Sequence, residues 1–341
     1  MAKQKQTIRD IAKLAGVSHM TVSRVLNEDT NVSAETRKHV LAIIREHDFT
    51  PNPKAKAFSS NRSRLIGLLV SDISNPFYAE LAKGIGKNAY ERDYNIIFCS
   101  ETAAKNGQDA VKFLLKSGVD GLIFASTKLT DNAARRIIKQ GFPAVLVNRK
   151  LSGDDFNYVV CDNRKGAEKM MGHLFGLGYE RIAIIAGPSD LSTAVERLVG
   201  YCDSFSSRGI PVNEDYIVQG LFDKETGYEG TSRFIKLEKR PQAIFAGNDY
   251  IAMGVLDALD EAGLRVPEDI AVVGFDNTFF AAHSRVNLTT VSQRTQEMGA
   301  LGVNILIESI EGKGSNYNNH VTLKPELIIR KSCGQYLRKK I

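Results

Sequence analysis

"TIRDIAKLAGVSHMTVSRVLN", residues 7–27, holds two short runs of helical periodicity broken by one glycine. Thr7 and Asp10 have the T-x-x-D spacing of a capping box. Ile8, Ile11, Ala12 and Ala15 then recur at spacings of three and four, which predicts an amphipathic helix. Gly16 ends it and Ser18 caps a second helix, in which Val22, Val25 and Leu26 face inward. Met20, Ser23, Arg24 and Asn27 fall together on another side. A thioether, a hydroxyl, a guanidinium and an amide spread along two turns suit a nucleic-acid groove better than a catalytic centre. Two helices separated by a tight glycine-containing turn form a helix-turn-helix, whose second helix lies in the DNA major groove. Ser33 caps a third helix carrying Val40, Leu41 and Ile44, so residues 1–49 read as a DNA-binding headpiece.

The charge distribution points the same way. The 341-residue chain has a formal net charge of +6, and residues 1–64 hold twelve Lys or Arg against six Asp or Glu, leaving the remainder balanced. A basic excess confined to a small N-terminal module fits one that meets phosphate. A hydrophobic fraction of 43% and a charged fraction of 25% are those of an ordinary globular protein with room for two or three domains. "MAKQKQTIRD" is basic without an apolar core, so it predicts no secretory signal. No apolar run approaches ~20 residues, so no membrane span is predicted either, and a cytoplasmic protein is expected. Cys99, Cys161, Cys202 and Cys333 make no CxxC pair and no Cys/His cluster. The first two, inside apolar runs, read as small core residues of a reduced protein, and no metal or other cofactor is implied.

"TPNPKAKAFSSNRSR", residues 50–64, reads as a basic linker. Within it "PKAKAF" has the makings of one or two helical turns, with Pro53 in the first turn. Alone it is too short to be stable, so it is expected to fold only on DNA. From Leu65 the pattern changes to continuous apolar runs: "LIGLLVSD", "NIIFCS", "GLIFAS", "PAVLVNR", "YVVCD", "RIAIIAG", "AIFAGND" and "IAVVGFD". Such runs mark parallel strands buried on both faces, and amphipathic helices at 77–91, 107–117, 164–177 and 250–262 lie between them. The class is α/β, doubly wound. Polar residues stand where strands end, as at Asp72, Asn148 and Arg149, Asn248, and Asp276, and open parallel sheets bind ligands at the carboxyl ends of their strands. Eight or more strands suggest two lobes with a ligand in the cleft between them.

The whole pattern resembles the lactose-repressor/galactose-repressor family of bacterial transcription factors. The helix-turn-helix stretch, "VSAETRKHVLAIIREHDFTPN", "SNPFYAEL", "RIAIIAGP", "AIFAGNDYIAMGVLDAL", "EDIAVVGFDNT" and "LTTVSQ" all look like motifs of that family, in order. The resemblance implies a helix-turn-helix headpiece plus a two-lobed doubly wound parallel-sheet core of periplasmic-binding-protein type. The core would span 65–330, with lobe 1 at 65–160 and 291–320, lobe 2 at 161–290 and 321–330, and a tail at 331–341. It implies a homodimer on a pseudo-palindromic operator in double-stranded DNA. Thr7, Ser18, Thr21, Ser23 and Asn27 would include the phosphate anchors, and His19, Met20 and Arg24 would read bases. Asn52, Ala55, Lys56 and Phe58 would contact DNA from the hinge. Phe58 stands where the family commonly has a Leu that wedges into the minor groove. Effector contacts would be Asp72, Asn75, Phe77, Asn148, Arg149, Arg197, Phe222, Asn248, Asp276 and Gln293. Arg, Asn and Asp around an aromatic face suit a sugar, and the two guanidiniums also suit an acidic sugar or a phosphorylated ligand. A purine or protein corepressor is the alternative effector.

Other readings lack their residues. "GIGKNA", residues 84–89, mimics a dinucleotide loop but falls inside a predicted helix. No GxSxG, HExxH or GxxxxGK[ST] occurs, so no enzyme class is supported. His173 and His283 stand isolated and read as capping or surface residues. A periplasmic-type sugar receptor would share the core fold, but would need a signal peptide where this chain has a basic helix-turn-helix.

Overall fold

In the computed structural model, which describes residues 6–26, 29–49, 62–101, 107–153, 156–313 and 319–338, three helices build the N-terminal unit: α1 (Ile8–Leu14), α2 (His19–Leu26) and α3 (Ala34–Glu46). The Asp10 carboxylate accepts from the Thr7 N–H at 2.8 Å and the Thr7 hydroxyl at 2.7 Å, fixing the start of α1. Gly16 takes φ +63° in the turn, where a residue without Cβ meets no steric cost. The Ser18 hydroxyl accepts from the Thr21 N–H at 3.0 Å to start α2, and Ser33 does the same for α3 through Thr36 at 3.2 Å. Each helix turns its apolar stripe inward, burying Ile11, Ala12, Ala15, Val22, Val25, Val40 and Phe49 in one small core.

Residues 64–341 form a separate unit. In its first sheet, β1 (Leu65–Val70), β2 (Asn95–Ser100), β3 (Gly121–Phe124), β4 (Ala144–Val147), β5 (Tyr158–Cys161) and the distant β11 (His320–Leu323) lie in the order β11-β5-β4-β3-β1-β2, every pair parallel. The helices α4 (Pro76–Glu91), α5 (Gly107–Lys116), α6 (Asn132–Lys139) and α11 (Thr295–Ile310) belong to this lobe. A second parallel sheet has β6 (Ile182–Ala186), β7 (Ile217–Gln219), β8 (Ala243–Ala246) and β9 (Ala271–Val273) in the order β7-β6-β8-β9. With it go α7 (Asn163–Gly176), α8 (Ser192–Ser206), α9 (Lys224–Phe234) and α10 (Asp249–Glu261). β10 (Thr290–Ser292) pairs antiparallel with β12 (Glu326–Ile328), and bridges from Val273 to Thr289 and from Asp276 to Ser292 tie it to the second lobe.

The chain crosses between lobes three times, and each crossing follows a completed strand. That corrects the expected boundaries: Cys161 still belongs to the first sheet, Thr290–Ser292 sit with the second lobe, and the first lobe extends through Leu323. β11 escaped the sequence reading because "HVTL" is an edge strand in which only Leu323 is buried, so it lacks a continuous apolar run. The expected tail also begins too early. The Ser332 hydroxyl accepts from the Thr289 N–H at 2.8 Å and donates to the Val272 carbonyl at 2.6 Å, and Cys333 is fully buried, so residues 331–334 finish the second lobe. Arg64, placed in the linker, already belongs to the core through its N–H to Asp120 at 2.8 Å. Cys161 is buried as expected, whereas Cys99 is only partly so.

"GIGKNA" does lie inside α4, and its first glycine has a packing reason. A Cβ at Gly84 would run into the backbone of Gln296 on α11, and one at Gly299 would meet the Leu81 carbonyl at 2.9 Å. Small residues let these two helices approach closely beneath the first sheet. Gly84→Ala should therefore lower stability by about 1–3 kcal/mol through overpacking. Gly86→Ala, whose Cβ would meet open space on the same helix, should instead raise it by up to about 1 kcal/mol through helix propensity. Urea unfolding of both variants checks the pair, and equal effects would contradict the packing role.

Candidate functional site

On α2, His19, Met20 and Arg24 are exposed, Met20 with 55% of its surface open, while Thr21 and Ser23 are partly so. Val22 and Val25 hold the opposite face in the core. Arg24 Nε lies 3.6 Å from Asp29 Oδ2, a solvent-exposed pair of small energetic weight. The Thr7 hydroxyl is engaged by Asp10 and the Ser18 hydroxyl by Thr21, at 2.9 Å between oxygens. Asn27, Asn52, Ala55, Lys56 and Phe58 lie outside the described residues, and the hinge-wedge expectation with them.

The second candidate site lies where strand ends of the two lobes meet. Asn75, Phe77, Asn148, Arg149, Arg197, Phe222, Asn248, Asp276 and Gln293 line one narrow cleft, joined by Tyr78 and Thr193. Asp72 is not among them: its carboxylate accepts from the Ser74 N–H at 2.9 Å and the Ser74 hydroxyl at 2.7 Å, closing the turn into α4. Asn75 and Asn248 do both jobs, lining the cleft while capping α4 and α10 through the Phe77 and Ile251 N–H groups at 3.0 and 2.7 Å. The sequence reading missed Tyr78 and Thr193. Tyr78 directly follows Phe77 at the start of α4, and Thr193 precedes Arg197 by one helical turn, so both were reachable from spacing alone.

Arg197 is the centre of the cleft floor and only 3% exposed. Its Nε donates to Asn163 Oδ1 at 2.9 Å and Nη1 to the Gly247 carbonyl at 2.6 Å, while Nη2 stands 3.4 Å from Asp276 Oδ1. The guanidinium lies 3.8 Å from the centre of the Phe275 ring, close enough for a cation–π contact. Gln293 Nε2 donates to Asp276 Oδ1 at 2.6 Å, so Gln293 is a closer partner of this carboxylate than Arg197. Burial pushes the Asp276 carboxyl up to about 6, against the pull of Arg197 and Gln293, and burial also draws Arg197 below the usual guanidinium range. Asp249, the first residue of α10, is pushed up to about 7 by burial and by Asp276, although Thr278 and Thr290 donate to it. Asn148 and Asp276 take φ +72° and +118°, so both lobes present a cleft residue from a strained, left-handed strand exit.

The lobes also meet at the cleft rim. Lys150 Nζ reaches Glu196 Oε1 at 3.0 Å and the Lys150 N–H donates to the Ser192 hydroxyl at 3.0 Å. Lys128 Nζ pairs with Asp190 at 2.7 Å, and the Leu129 N–H donates to the Asp190 carbonyl at 2.8 Å. His173, read as isolated, is half-buried with Nε2 3.3 Å from Cys333 Sγ, remote from the cleft lining; His283 is exposed.

A helix-turn-helix unit followed by a two-lobed parallel-sheet core with a polar cleft defines a ligand-responsive DNA-binding regulator. Residues 7–52 match the family described as bacterial regulatory proteins, lacI family, and residues 171–333 match a periplasmic binding protein-like domain. The chain is 34% identical over 332 residues to the HTH-type transcriptional repressor PurR of Photobacterium profundum, covering 96% of this chain and 98% of the relative. It is 34% identical over 307 residues to the ribose operon repressor of Escherichia coli, covering 89% and 93%. Among solved structures, the lac repressor dimer bound to operator and the anti-inducer ONPF matches with a TM-score of 0.84 at 28% identity, over 97% of this chain and 99% of that one. The chain belongs to the lacI family of bacterial regulatory proteins. Among the described residues, no helix is long and apolar enough to cross a membrane.

The buried carboxyls give the core a defined pH response. An ordinary aspartate has a pKa of 3.8, so with Asp249 raised to about 7 the folded chain keeps a proton that the unfolded chain releases. The contribution of this group to stability therefore falls as pH rises from about 4 to 7. Asp249→Asn cannot ionise, so its melting temperature should depend less on pH between 5 and 7, at roughly one proton fewer. Thermal unfolding across that range measures it, and parallel wild-type and variant profiles would refute the assignment.

Proposed function

We propose that the protein is a transcriptional repressor that binds a pseudo-palindromic operator as a homodimer and whose operator affinity is set by a sugar or sugar derivative bound between the lobes. It works in the cytoplasm and catalyses no reaction. The observation that carries the DNA-binding part is the exposed row of His19, Met20 and Arg24 on a helix whose other face is locked into the headpiece core. In the matching lac repressor structure the protein is a dimer on its operator, which supports the same assembly for this chain. The relative named as a ribose operon repressor supports a sugar.

The roles follow from chemistry. Arg24 can donate bidentately to guanine O6 and N7, His19 can donate to the same edge, and Met20 can pack on a thymine methyl. Thr7, Ser18 and Thr21 stand near the starts of α1 and α2 and Ser23 farther along α2, and their hydroxyls can anchor phosphates. In the cleft, polar groups from both lobes converge with Phe77 and Phe222 on a ligand, so a bound molecule favours one lobe orientation over another. A ligand that changes DNA affinity by some factor has its own affinity changed by DNA by the same factor.

Arg24→Ala should cut discrimination between operator and single-base variants by about 1–3 kcal/mol at the contacted base pair, while ligand binding in the core stays intact. Competition binding with a set of operator variants reads this out; an unaltered sequence preference would remove Arg24 from the reading face.

A further inference from the structure

Arg149 is the unbalanced charge of the cleft. It is 6% exposed, yet its Nη1 donates to the Ser126 carbonyl at 2.8 Å and its Nη2 to the Tyr78 hydroxyl at 3.0 Å, both neutral acceptors. Its Nε is buried with no acceptor, and no carboxylate among the described residues reaches ion-pair distance. Buried charges are ordinarily paired. Two carboxyls act on it from farther away. Asp276 is already committed to Arg197 and Gln293. Glu101 is pushed up to about 7, chiefly by burial, which favours its neutral form.

The neighbouring orphan atoms have the opposite need. Asn148 Oδ1 and Gln293 Oε1 are buried acceptors without a donor, on residues 5% and 1% exposed. An anionic group cannot satisfy them, because it only accepts; a hydroxyl or N–H can. One molecule that completes all three must therefore carry an anionic group and at least two donors.

We propose that the ligand is a polyhydroxy acid, its anionic oxygens seated against Arg149 and its hydroxyls donating to Asn148 and Gln293. This rests on the reading of the cleft as the effector site and narrows the sugar derivative to an acidic one. A carboxylate and a phosphate share the required chemistry.

The test is calorimetric titration of the full chain, wild type, Arg149→Gln and Arg149→Lys. The probes are D-gluconate and D-glucuronate as carboxylates, glucose phosphate and ribose phosphate as phosphates, and D-glucose, D-ribose and sorbitol as neutral counterparts. At least one acid should bind the wild type roughly ten- to a hundredfold more tightly than its neutral counterpart. That advantage should vanish in Arg149→Gln and return in part in Arg149→Lys, and whichever arm shows it names carboxylate or phosphate. Neutral sugars binding as tightly as their acids, or an acid indifferent to Arg149→Gln, would overturn the acidic ligand and leave the sugar reading standing. Binding by neither class would overturn both. Should Arg149→Gln fail to fold, the wild-type comparison of acid with neutral counterpart decides alone.

Discussion

A guanidinium buried at the seam of two lobes constrains the core. Arg197 can sit there only because separate parts of the chain bring acceptors to it: Asn163 at the start of α7, the Gly247 carbonyl after β8, and Asp276 beyond β9, itself held by Gln293 at the crossover into α11. Removing two charges from water costs several kcal/mol per ion, and their attraction offsets this only with good geometry and full hydrogen bonding. At 3.4 Å the pair is loose, and burial moves both groups toward their neutral forms. This part of the molecule is therefore not organised for stability. A ligand whose polar groups complete the arrangement supplies what these side chains alone lack, and that is the physical basis for a core that responds to a small molecule.

The same logic accounts for the backbone around the cleft. Asn148 and Asp276 hold left-handed conformations that are costly for residues with a Cβ. The Asp276 N–H donates to the Val291 carbonyl at 2.8 Å and the Asn148 N–H to the Val159 carbonyl at 2.9 Å, so the pairing of neighbouring strands holds each exit in place. Strand pairing thus fixes the side chains that face the ligand. The strands that hold these exits, β5 and β10, each lead directly into a crossover between lobes, so a change in lobe orientation bears on cleft geometry.

Much of this was legible in the sequence, for a physical reason. Strands buried on both faces must be continuously apolar, and the eight runs from "LIGLLVSD" to "IAVVGFD" each contain a strand of the parallel sheets; the polar ends of four of them, at Asn148, Asp162, Asn248 and Asp276, line the cleft or cap the next helix. The edge strand β2 was read although none of its residues is fully buried, because "NIIFCS" is largely apolar, whereas short strands with polar residues among the apolar ones gave no such signal. β7, with no fully buried residue, and the edge strand β11 were not read, and the boundary drawn at residue 320 cut through β11. Asp72 shows the limit at the residue level: a carboxylate at a strand end serves a turn or a ligand with the same sequence appearance, and this one closes a turn through Ser74 outside the cleft lining. Tyr78 adjoins Phe77 and was within reach of the spacing, but its part in the cleft shows only where its hydroxyl accepts from Arg149.

The headpiece and the core are chemically independent, one shaped for phosphate and base edges, the other for a small polar molecule, so their coupling is the central claim. It is tested most directly by measuring operator affinity of the full chain with and without a saturating bound ligand, alongside ligand affinity with and without operator. The account predicts that both affinities change, by one and the same factor. Operator affinity that stays equal in the two conditions while the ligand is demonstrably bound would contradict it.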